Sequence, residues 1–132
     1  MLNYLWVGLG GALGSMARYG FSGLIARFFG EAFPLGTLLV NVTGSFIIGF
    51  FAMATSPDGR WLVAPGVRTF FMIGICGGYT TFSAFSLQTL NLVRNGEKLF
   101  AGLNAVLSLA LCLLAVWLGD LLAASLTPTK GN

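Results

Sequence analysis

An all-α integral membrane protein is the architecture this sequence predicts. Four transmembrane helices per chain are expected, the third broken at mid-membrane, with an antiparallel, dual-topology pairing of two chains as one of the two readings that the charge count leaves open. Three observations carry the expectation. Of 132 residues, 56% are hydrophobic and only 8% are charged, against about 25% charged residues in a soluble domain. Short polar turns divide the chain into four apolar stretches, each long enough for the roughly 20 residues that one crossing needs. The basic residues divide evenly between the two sides that four crossings would define.

The first stretch runs from Asn3 to Phe29. It has no basic leader and no small-residue cleavage site before a polar mature domain, so it reads as a span rather than a signal peptide. Gly10 and Gly14 have the spacing that lets helices approach closely. After the turn Gly30–Pro34 the second span covers 35–54, with Pro34 suited to a helix start. Thr37, Asn41 and Ser45 recur every fourth residue and give it a polar face, while Gly36, Gly44 and Gly49 add close-packing points. The longest loop, Thr55–Pro65, contains the turn Ser56-Pro57-Asp58-Gly59, and Arg60 and Trp61 suit the membrane interface.

The third span covers 66–93 and contains Gly77-Gly78-Tyr79-Thr80, followed by Thr81-Phe82-Ser83-Ala84-Phe85-Ser86. Adjacent glycines and threonines are poor helix formers, so the sequence predicts a break at 77–80. In lipid such a break survives only where protein or a water-filled cavity covers it. The fourth span covers 99–118, within an uncharged run of 21 residues between Lys98 and Asp120. Asn104, Ser108 and Cys112 form a second polar face. The tail from Thr127 to Asn132 reads as disordered. The whole chain is one membrane domain, 1–132.

Topology follows from counting basic residues. Arg60, Arg68 and Lys130 would share one side, Arg27, Arg94 and Lys98 the other, with Arg18 set aside inside a span. Three against three gives no preferred orientation. Either fine detail sets a weak bias, or chains insert both ways and pair antiparallel. The second reading suits a chain whose four helices can hardly enclose a polar path alone.

Composition also excludes. The net charge of +3 is ordinary for membrane loops and points to no nucleic acid, and the absence of histidine removes the commonest metal ligand and proton shuttle. Cys76 and Cys112 read as packing residues. Gly8 to Gly14 lacks the preceding strand that a dinucleotide loop needs. Glu31, Asp58, Glu97 and Asp120 all fall in loops or at span ends. A proton-coupled exporter of cationic drugs, the other obvious small four-span class, needs a carboxylate within the membrane.

The remaining polar groups point to an ion path. Arg18, a charge within a span, either faces the interior and favours an anion or snorkels to a helix end. Asn41, Asn104 and Ser108 are either donors along a path or hydrogen bonds between helices. Phe82 and Phe85 share a helix face amid the hydroxyls of Thr80, Thr81, Ser83 and Ser86. Aromatic rings are positive at their edges, so ring edges and hydroxyls together suit an anion. Carbonyls freed at Gly77 and Thr80 suit a hard cation such as Na⁺. Two breaks meeting at a twofold axis would supply enough oxygens to hold one.

Three stretches resemble the Fluc (CrcB) fluoride channels: Gly10-Gly-Ala-Leu-Gly-Ser-Met-Ala-Arg18-Tyr19, Gly36-Thr-Leu-Leu-Val-Asn41-Val-Thr-Gly44-Ser-Phe, and Gly74-Ile-Cys-Gly-Gly-Tyr-Thr-Thr-Phe82-Ser-Ala-Phe85. They lie in order and cover most of the chain. The resemblance implies an antiparallel dual-topology homodimer in the bacterial inner membrane, contacting membrane lipid. It would passively export the fluoride ion, lower fluoride toxicity and be no enzyme. It implies two pores, each lined by both chains. Phe82 and Phe85 would be the pore phenylalanines, Asn41 the pore amide, and Ser83 a hydroxyl beside the path. Arg18 would be the arginine of the first-span motif, and Asn104 and Ser108 would lie on a polar track. The carbonyls of Gly77 and Thr80 from both chains would hold a structural Na⁺. The sequence departs from the family pattern at Ser15, where alanine is usual, at Ala84, where threonine is frequent, and at Cys112, where a hydroxyl is usual. The competing readings are a small dual-topology multidrug exporter and a non-transporting membrane scaffold.

Overall fold

The computed structural model describes residues 1–128, and every regular element among them is helical. Helix α1 (Leu2–Phe29) ends at Gly30, whose φ of 78° few other residues adopt. Helix α2 occupies Leu35–Ala54, the span read from the sequence. Helix α3 (Pro65–Arg68) leads into a π-helical segment, Thr69–Cys76, and then into α4 (Gly77–Tyr79). After two extended residues the chain resumes as α5 (Phe82–Arg94), and α6 follows at Lys98–Leu126. Three of these stretches, Leu35–Ala54, Pro65–Arg94 and Lys98–Leu126, are long and apolar enough to cross a membrane.

Two boundaries correct the sequence reading. Gly77 and Gly78 are helical, and the interruption falls at Thr80 (φ −80°, ψ 155°) and Thr81 (φ −152°, ψ 109°). Gly78 serves contact rather than bending, while a Cβ on Gly77 would meet only the Met72 carbonyl oxygen, at 3.8 Å. A Cβ on Gly78 would stand 2.5 Å from the Gly11 carbonyl oxygen, whereas one on Gly11 would meet nothing within 4 Å. Helix α6 also continues beyond Leu118, to Leu126. Asp120 is exposed on it, so a charge that limits an apolar run need not end the helix. Of the tail expected to be disordered, Thr127 caps α6 with its hydroxyl on the Ala123 carbonyl. Residues 129–132, with Lys130 of the charge count, lie outside the described residues.

Packing is close because small residues meet backbone. Gly10 and Gly14 of α1 press on the π-helical segment, where Cβ atoms would come within 2.5 Å of the Phe70 carbonyl oxygen and 2.1 Å of that of Ile75. Gly49 of α2 and Gly119 of α6 likewise face the backbone of Val116 and Phe46. The outward faces are apolar: Leu5, Leu9, Leu13 and Met16 on α1 are all exposed, as a lipid-facing or partner-facing surface requires. Gly78→Ala is therefore expected to lower the melting temperature in detergent, because the steric neighbour is backbone that cannot swing aside. Gly11→Ala has open space and should hold or raise it, since alanine is favoured in helices by about 1 kcal/mol. Equal melting temperatures for the two variants would refute the contact.

Candidate functional site

The interruption at Thr80–Thr81 is built by three neighbours that take up the backbone groups it frees. In an unbroken helix the Thr81 amide would donate to the Gly77 carbonyl. Here it donates to Asn41 Oδ1 at 2.7 Å, and Asn41 Nδ2 donates back to the Thr81 carbonyl at 3.0 Å. The Asn41 carboxamide thus pairs with Thr81 as a neighbouring strand would. On the other side Arg18 Nε donates to the Gly78 carbonyl at 3.1 Å, beside Ser15 Oγ at 3.5 Å. A cation there also meets the negative end of a helix. The Tyr79 hydroxyl lies 2.9 Å from Thr43 Oγ1 on α2.

Below the interruption, Thr81 Oγ1 accepts the Ala84 amide at 3.1 Å and so caps α5. The Thr80 hydroxyl is committed to the Cys76 carbonyl at 2.9 Å. Phe82 and Phe85, three residues apart on the first turn of α5, have ring centroids 5.3 Å apart at an interplanar angle of 53°. Phe85 is 9% exposed and Phe82 is 73% exposed.

These residues surround a cavity of about 280 Å³. Asn41, Ser45, Gly77, Thr80, Phe82, Phe85 and Ser108 all line it, so most of the positions singled out in the sequence converge. No lining side chain is charged. Ring edges, an amide and hydroxyls in an uncharged setting suit a small anion that must shed water.

Three predicted residues stand outside that lining. Arg18 works through the Gly78 carbonyl, and Ser83 is exposed with its hydroxyl 3.3 Å from that of Thr81. Asn104, 1% exposed, sits behind the lining in a directed chain. Ser108 Oγ donates to Asn104 Oδ1 at 3.4 Å, Asn104 Nδ2 donates to Thr89 Oγ1 at 2.9 Å, and Thr89 donates to the Phe85 carbonyl at 2.8 Å. Thr89 was missed because its spacing from Phe85, four residues, is a signal only once Asn104 is known to face it.

A larger cavity of about 620 Å³ opens at the α1–α2 turn. Thr37 lines it, so the polar face of α2 is shared between two cavities. Gln88 and Asn91 of α5 and Asn95, which caps its C-terminus, also line it, and Gln88 Oε1 is buried without a hydrogen-bond partner. Their spacing of three and four residues marks one helix face, a pattern legible in the sequence but overshadowed by the phenylalanines.

Comparison with known proteins places this geometry. The family model described as CrcB-like protein, Camphor Resistance (CrcB), matches residues 5–120. A protein of Opitutus terrae named fluoride-specific ion channel FluC is 60% identical over 132 residues, covering 100% of both chains. A protein of the same name from Methylocella silvestris is 53% identical, covering 98% of this chain and 99% of its own. Another, from Rhodospirillum rubrum, is 57% identical over 89% of this chain and 92% of its own. With three helices among the described residues long and apolar enough to span a membrane and a match over most of its length, the chain belongs to the CrcB-like family of multi-pass membrane proteins.

Proposed function

We infer that this protein is a fluoride-selective ion channel. One observation carries the reading: relatives named fluoride-specific ion channels are 53% and 60% identical over nearly the whole chain. The cavity beside Thr80–Phe85 supplies chemistry to match. Asn41 Nδ2 carries two hydrogens, and the Thr81 carbonyl takes one. The other is left for an anion in the cavity that Asn41 lines. The edges of Phe82 and Phe85 replace part of a fluoride hydration shell with weakly positive C–H groups. Asn104, Ser108 and Thr89 fix the carbonyl of Phe85, and so hold its ring in place, while Ser83 adds a hydroxyl near the exposed Phe82.

A single chain does not close this path, since Phe82 stands 73% exposed. An antiparallel homodimer would cover it and agrees with the even basic-residue count. We place such a dimer in the bacterial inner membrane as four spans per chain, with α1 as the first, lipid around it and fluoride leaving the cytoplasm passively.

The donor chemistry at the interruption fits a structural Na⁺. Diverting the Thr81 amide to Asn41 leaves the Gly77 carbonyl without its helical donor, and Thr80 is extended beside it. Hard cations take oxygen ligands, and two chains would contribute four such carbonyls. Bound there, Na⁺ would supply fixed positive charge at the dimer axis, while Arg18 and Asn41 hold the backbone that presents those oxygens.

The test is a fluoride-electrode trace from liposomes containing the pure protein, at two membrane potentials. Fluoride efflux should follow the voltage, with chloride retained. Chloride efflux as fast as fluoride efflux, or flux that follows the proton gradient instead, would refute the reading. Proton-driven dye efflux would restore the multidrug exporter.

A further inference from the structure

The chain has only two cysteines. One lies on the π-helical segment and the other on α6, yet both line the same 280 Å³ cavity as Phe82, Phe85 and Asn41. Neither is paired, and Cys76 is 3% exposed, so the cavity is its route to small solutes.

We propose that this cavity binds a soft, thiophilic metal ion, with one Hg²⁺ bridging Cys76 Sγ and Cys112 Sγ. Thiolates select soft metals over the hard cations that amides and hydroxyls prefer. The remaining polar lining, Asn41, Ser45, Thr80, Thr81 and Ser108, therefore competes weakly. A linear two-coordinate bridge needs only one sulfur from each of two elements that line one cavity, as Cys76 and Cys112 do. No cluster of three His, Cys, Asp or Glu is required, and among the described residues there is none. On binding from HgCl₂, both S–H bonds and both Hg–Cl bonds break, two S–Hg bonds form, and two protons and two chloride ions pass to water, with no change of oxidation state. The metal then shares the cavity with the rings and the Asn41 amide and ties the segment before the Thr80–Thr81 interruption to α6. Loss of conduction on loading rests on the fluoride-channel reading; the binding itself does not.

The test uses the purified full-length chain, reduced and freed of reductant, with HgCl₂ as probe. The expected result is one mercury per chain, both thiols masked, and retention through a wash with a competing monothiol. Cys76→Ser and Cys112→Ser should each weaken retention at least about tenfold, the equivalent of ~1.4 kcal/mol. Two mercury atoms per chain, a single variant that holds mercury as tightly as the wild type, or mercury-linked chains on a denaturing gel would overturn the proposal. In liposomes, HgCl₂ should stop wild-type fluoride efflux and dithiothreitol should restore it. Efflux that persists at full loading refutes the block. A protein that binds one mercury but never conducts fluoride refutes the channel reading and leaves the metal site standing.

Discussion

Phe82→Ile and Phe85→Ile are each expected to cut fluoride efflux by about tenfold or more, ~1.4 kcal/mol or more on the barrier. Isoleucine keeps an apolar side chain of branched bulk but has no ring, so it removes the positive edge that an anion would meet. The two positions separate conduction from folding. Phe85 is 9% exposed and packed, so its variant should also lose some stability, as overfilled or underfilled cores do. Phe82 is 73% exposed within one chain, so its variant should keep the chain's own packing while losing flux. Fluoride efflux and thermal melting of both variants, measured in the same preparation, decide it. Full efflux through Phe82→Ile would remove the rings from the mechanism and leave the hydroxyls and Asn41 alone.

Much of the architecture was legible because lipid makes sequence patterns coarse and strong. Helix α2 occupies the predicted 35–54, since an apolar run between Pro34 and a turn leaves little choice. Gly10 and Gly14 were legible as contact points because only close backbone approach explains their spacing. The interruption was misplaced by a few residues for a physical reason. Propensity scores Gly77 and Gly78 as poor helix formers, but propensity is weak against packing, and Gly78 packs from within the helix against the Gly11 backbone. The position that does leave the helix, Thr80–Thr81, is decided by partners 40 and 63 residues away, Asn41 with Thr81 and Ser15 with Gly78. No local window contains them.

The same logic explains the site residues. Asn41 could be singled out as an isolated amide on an apolar helix, but the sequence offered two roles for it, path donor or hydrogen bond between helices. The structure shows the second, and the cavity lining keeps the first open to the remaining hydrogen. Asn104 and Ser108 read alike in sequence, yet one is 1% exposed behind the other. Their difference lies in Thr89, which takes the Asn104 amide and passes a hydrogen bond to Phe85. The polar face was visible, but its order from lining to support was not.

Asn41→Leu is expected to be the most damaging single change at the interruption. It strands the Thr81 amide and the Thr81 carbonyl together. Each unpaired buried group costs about 1–3 kcal/mol, so the two together cost roughly 2–6 kcal/mol, and more in lipid, where water cannot replace the partner. The loss spreads in both directions. Thr81 also caps α5 through Oγ1, so a displaced Thr81 frees the turn that carries Phe82 and Phe85. The Gly77 carbonyl, released by the same diversion, loses the geometry that would present it to Na⁺. Asn41→Asp keeps an acceptor for the Thr81 amide but faces the Thr81 carbonyl with oxygen, so it should fall between leucine and the wild type in stability. Melting in detergent and fluoride efflux are measured together. A sharp drop in both supports the clamp. If Asn41→Leu melts like the wild type but conducts poorly, the amide serves the anion alone and Arg18, Ser15 and Thr43 suffice to hold the interruption.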